Sequence, residues 1–127
     1  MIKENISAMT DEHTGWLSAL VFYKEELNIL KKRLTEIAGK NTNKELGPEI
    51  EHFENQVNIQ SENIDNLHHD INENLSKAAA QAQNNSAGYV DAGLLKTHEG
   101  QREKFLTEER TVNELRQNFN RFASKWM

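Results

Sequence analysis

Three runs of residues along the chain step forward by four and three in alternation. The first is Met9, His13, Trp16, Leu20, Tyr23, Leu27, Leu30, Leu34 and Ile37. The second is Ile50, Phe53, Val57, Gln60, Ile64, Leu67, Ile71, Asn74 and Ala78. The third is Leu94, His98, Gln101, Phe105, Glu108, Val112, Leu115, Phe119, Phe122 and Trp126. A 3-4 repeat sustained over about four or five heptads puts one stripe on one face of a helix and predicts a coiled-coil seam with a left-handed supercoil.

Two segments interrupt the pattern. In Gly39-Lys40-Asn41-Thr42-Asn43-Lys44-Glu45-Leu46-Gly47-Pro48, Gly39 suits a left-handed position past a helix end and Pro48 suits the first turn of the next helix. Asn84-Asn85-Ser86-Ala87-Gly88 is a run of turn formers. Thr10, followed by Asp11 and Glu12, reads as an N-cap with acids in the first turn. Helices are therefore predicted near 10–38, 48–83 and 89–125, each about 45–55 Å long. Whether the third runs unbroken through Gly93 and Gly100 is open, since each glycine costs about 1 kcal/mol relative to Ala.

Short turns at both interruptions align the three stripes. Ile37 meets Ile50 and Phe122, Leu34 meets Phe53 and Phe119, and Leu30 meets Val57 and Leu115 in dry layers at the first-loop end. Toward the second loop the layers turn polar: Leu27/Gln60/Val112, Tyr23/Ile64/Glu108, Trp16/Ile71/Gln101 and His13/Asn74/His98. The expected fold is all-α: one domain over residues 1–127, an elongated, antiparallel, up-down-up three-helix bundle of coiled-coil type.

Composition changes this picture in few places. The chain has 127 residues, 15 Lys+Arg, 20 Asp+Glu and a net charge of −5, which disfavours a nucleic-acid binder. No Cys is present, so disulfides, thiolate metal sites and thiol catalysis are excluded, in keeping with a reducing compartment. No secretory signal is evident at the N-terminus. The longest nearly apolar stretch, Trp16 to Tyr23, is far short of the roughly 20 residues of a membrane span. A cytoplasmic protein is expected.

The His13/Asn74/His98 layer is the sharpest candidate for chemistry. Two imidazoles at one height on parallel helices can face a common ion, with Asp70 or Glu99 within a turn. Zinc wants three or four ligands, and the bland alternative is a hydrogen-bonded layer that fixes register. Glu49-x-x-His52 and Asp65-x-x-His68 fall in different layers and do not form a di-iron set. His68, His69 and Asp70 point about 100° apart, leaving His69 solvated. Glu108 opposite Tyr23 is read as a carboxylate accepting the tyrosine hydroxyl, with no nucleophile or second carboxylate beside it. Gln60 reads as a register-setting amide. Phe22 and Ile29, one heptad apart on the outside of the first helix near Leu17 and Val21, and Ile59 at the equivalent place on the second, are the candidate partner-binding residues.

The run His13-x-x-Trp16-x-x-x-Leu20-x-x-Tyr23-Lys24-Glu25-Glu26-Leu27, with Glu51-His52-Phe53-x-Asn55-Gln56 and Leu67-x-His69-Asp70-Ile71, resembles small uncharacterised bacterial three-helix coiled-coil proteins. That resemblance implies the fold and no activity. Ferritin-like and hemerythrin-like bundles need four helices and inward Glu/His sets that are missing here. The expectation is a non-enzymatic interaction or scaffold module without a cofactor, binding a protein partner or forming a homo-oligomer, most simply a dimer. The rival is a metal- or small-ligand-binding bundle built on His13, Asn74 and His98 with Asp70.

Overall fold

The computed structural model describes residues 6–41, 44–83 and 92–126. They form three helices and no strand: α1 (Ile6–Lys40), α2 (Leu46–Gln83) and α3 (Ala92–Trp126). Each packs against both others. Partners between α1 and α3 climb together, from Glu12 with His98 through Tyr23 with Glu109 to Asn41 with Trp126, so these helices are parallel. Contacts of α2 run the other way, with Phe53 against Phe119 and the Asp70 carbonyl bound by Gln101.

The buried residues follow the predicted stripes. Leu20, Leu27, Leu34, Ile37, Ile64, Ile71 and Phe119 are almost fully enclosed, and the dry layers join into one cluster. Phe53, Phe119 and Phe122 pack at centroid distances of 4.9–6.0 Å, and the Arg33 guanidinium lies 5.2 Å from the Phe119 ring centre. Tyr23, Ile50, Leu94 and Trp126 are only partly covered, while Leu46 and Ala123, outside the stripes, are buried.

The helix ends differ from the sequence expectation, for identifiable reasons. Thr10 is not an N-cap: α1 starts at Ile6, and the Thr10 carbonyl accepts a 2.8 Å bond from Thr14 Oγ1 inside the helix. Met9, fully buried beside Ala78 and Leu94, makes it favourable to extend the helix past its local cap. Gly39 is also helical, with no left-handed backbone. The Asn41 amide serves this end instead, donating to the Ile37 carbonyl at 2.8 Å and to the Trp126 carbonyl at 3.4 Å. Leu46 starts α2 two residues before Pro48, which still lies in the first turn. α3 passes unbroken through Gly100, and Gly93 is its second residue. The 84–88 turn and the expected helix start at 89 lie outside the described residues.

Candidate functional site

The polar end of the bundle is built around the predicted His13/Asn74/His98 layer. Its two rings are fully buried and bonded to each other, with His98 Nδ1 2.9 Å from His13 Nε2. The second nitrogen of His98 lies 2.8 Å from Glu12 Oε1. Glu12 is in turn gripped by Arg102, whose Nε and a terminal NH₂ donate at 2.5 and 2.7 Å. Trp16 covers the pair, stacked on His98 at 4.8 Å and edge-on to His13 at 5.3 Å. The result is a continuous relay from a half-exposed guanidinium to a sealed imidazole.

The donor pattern follows from chemistry. Ionised Glu12 only accepts, so His98 Nε2 carries a proton. With both rings neutral, His98 Nδ1 then accepts from His13 Nε2–H, and His13 Nδ1 is left as a lone pair pointing into the core. That nitrogen, Asn74 Nδ2 and Gln101 Oε1 are buried without hydrogen-bond partners. Gln101 donates through its Nε2 to the Asp70 carbonyl at 3.1 Å. Burial, and then the neighbouring His98, hold His13 down at about 4; Gln101 nearby and Glu12 oppose this, although no bond of acceptable geometry joins His13 Nδ1 to Gln101. The hydrogen-bonding grip of Arg102, aided by His98, pulls Glu12 to about 2 against the effect of burial.

Of the residues proposed as ligands, His13, His98 and Asn74 share the buried layer, whereas Asp70 is exposed. A metal held by His13 Nε2 and His98 Nδ1 requires both to give up their mutual bond. Among the described residues, one group of potential ligands is close enough to share an ion: His69, Asp70 and Glu73, all exposed on one turn of α2. His69 there makes a 3.3 Å contact with Glu73, both well exposed.

The Glu108 layer differs from expectation in its partner. The Tyr23 hydroxyl donates to Glu109 Oε2 at 2.6 Å, not to Glu108. Burial and that bond push the Tyr23 phenol up to about 12. Glu109 faces α1, while Glu108, about 100° around the helix, turns inward toward Gln60 on α2. With its amide nitrogen directed at the carboxylate, Gln60 donates to the two Glu108 oxygens at 3.0 and 2.6 Å. Turned the other way, the amide oxygen accepts from Asn63 at 3.5 Å and suits a protonated Glu108. Burial pushes Glu108 up to about 7.

Phe22 and Ile29 are both 50% exposed and Ile59 is 48% exposed. They do not share a face. Tyr23 with Glu109, Glu26 with Arg116 and Arg33 with Asn120 mark the α3-facing edge of α1, and Phe22 and Ile29 lie outside that edge. Ile59 stands one turn from Asn63, which lines the opposite groove between α2 and α3. Among the described residues, Val21 and Leu106, 49% and 54% exposed, complete the exposed large apolar side chains. Leu106, Glu12, Arg102 and Glu109 were not singled out by spacing, because each sits one position beside a seam residue.

No helix among the described residues is long and apolar enough to cross a membrane. No family model, curated protein or solved structure matches the chain. The class that fold and site define is therefore an all-α three-helix bundle with a polar, internally hydrogen-bonded end.

Proposed function

We propose that the protein is a non-enzymatic helical interaction module of the cytoplasm, holding a second copy of itself or another protein against apolar side chains on its outer surface. The observation that carries this is the pair Phe22 and Ile29, one heptad apart on α1 and each half exposed although the core is already filled. The polar layers serve this role by fixing which helix faces meet, and with them the geometry of the outer surface. The absence of Cys accords with a reducing compartment. Light scattering at high protein concentration is expected to give a mass above the 14.6 kDa of one chain, returning to that value in Phe22→Glu. A monomer unaffected by Phe22→Glu contradicts self-association. If a photo-crosslinker at position 22 also captures no other protein in cells, the interaction role itself fails.

The second reading, a metal- or small-ligand-binding bundle, is supported by the unpaired His13 Nδ1, Asn74 Nδ2 and Gln101 Oε1. It predicts stoichiometric zinc, iron or nickel in purified protein and a melting temperature that drops on chelation. Metal-free protein whose melting point is indifferent to added metal ends that reading.

A further inference from the structure

The groove between α2 and α3 has a feature that neither role uses. A cavity of about 590 Å³ opens there, and its wall includes Glu108, which is only 8% exposed. A buried carboxylate is costly without a cation, and none of the described residues supplies one. Arg102 is bound to Glu12, Arg116 to Glu26 and Lys24 to Asp65. Lys104 lines the same groove, and burial raises the Glu108 carboxyl. From α1, the Tyr23 hydroxyl is turned to Glu109; from α2, Gln60 is the neighbour.

The rest of the groove has matching chemistry. Asp70 and Glu103 add negative charge at its rim, Asn63 and Asn66 add amide carbonyls, and Leu67 gives an apolar floor. The space beside Gly100 is open, since a Cβ there would meet nothing within 4 Å. A metal ion suits it poorly: Glu108 belongs to no group of three converging ligands among the described residues, and cations such as calcium need six or more oxygens. An ammonium has three N–H donors, enough for both oxygens of one carboxylate and one amide carbonyl.

We propose that the α2–α3 groove binds a primary alkylammonium group, seated on the Glu108 carboxylate with its alkyl chain over Leu67 and past Gly100. The chemistry is shared by a free polyamine and a lysine side chain of another protein. The test is titration of the full chain, at about pH 8 where the carboxyl is ionised, with n-butylammonium, spermidine and Nα-acetyl-lysine methylamide. Amide NMR reads the binding, and tetramethylammonium serves as a control cation without N–H donors. Saturable shifts at Gly100, Thr107 and the side-chain amides of Asn63 and Asn66 are expected. They should weaken at least about tenfold in Glu108→Gln, and the Glu108 carboxyl should titrate at lower pH with amine bound. Spermidine binding tighter than the lysine derivative identifies a free polyamine as the source; equal binding of butylammonium and the lysine derivative identifies a protein lysine. The proposal is overturned if no primary amine saturates at millimolar concentration, if Glu108→Gln binds as the parent does, or if tetramethylammonium gives the same shifts.

Discussion

Glu108→Gln is expected to raise the unfolding free energy at about pH 8 by about 3 kcal/mol, and to change the shape of the stability–pH curve. Folding raises the Glu108 carboxyl from 4.5 to about 7. The folded state therefore holds a proton that the unfolded chain has lost, and this contribution to stability is present below pH 4.5 and lost as pH rises through 7. His13 works in the opposite direction. Folding lowers its ring from 6.5 to about 4, so its contribution is present above 6.5 and lost as pH falls through 4. Each group is worth about 1.4 kcal/mol per pH unit within its window, with opposite sign. Where the windows overlap, the two slopes cancel in the parent protein. Removing the carboxylate exposes the histidine slope, so Glu108→Gln should gain stability steadily as pH rises from about 4 to 6.5. Urea unfolding across this range measures both curves. A parent curve that is flat and a variant curve that is equally flat would show that His13 is not held neutral by burial.

Glu12→Ala is expected to destabilise the bundle by about 2–4 kcal/mol at neutral pH, far more than a surface carboxylate normally contributes. The loss is large because the substitution leaves the buried His98 Nε2–H without an acceptor and strips both bonds from Arg102. Glu12→Gln should cost less, because its amide oxygen still accepts from His98. The same carboxylate contributes to acid sensitivity: held at about 2, it stabilises the fold above pH 4.5 and loses that contribution as pH falls toward 2. Glu73→Ala is the control, since Glu73 is exposed and meets a solvated His69. Thermal or urea unfolding that finds Glu12→Ala within about 0.5 kcal/mol of the control would contradict a structural role for the relay.

Much of the fold was legible because the seam is written by residue type at 3-4 spacing. That spacing placed His13 opposite His98, Phe53 opposite Phe119 and Glu108 in the interior, and the structure builds all three. What periodicity leaves open is the side on which each neighbouring helix lies. Tyr23 chooses Glu109 over Glu108 on that basis, and Ile59 lands on a different face from Phe22 for the same reason. Glu12 and Arg102 are ordinary charged residues on flanking positions; only the parallel stacking of α1 and α3 makes them the outer half of the histidine relay. Helix ends were less legible still, because Met9 and Asn41 act through tertiary contacts rather than local capping signals.

The polar end is a hydrogen-bonded chain in which Arg102 and His98 both donate to Glu12 and His13 donates to His98, with a neutral buried imidazole at its inner end. Long-range ¹H–¹⁵N NMR of the histidine rings reads this directly. At neutral pH, both rings carrying their proton on Nε2, with Nδ1 of His13 unprotonated, is the predicted result. A His13 protonated at Nδ1 at neutral pH, whether as the other tautomer or as an imidazolium, would contradict it.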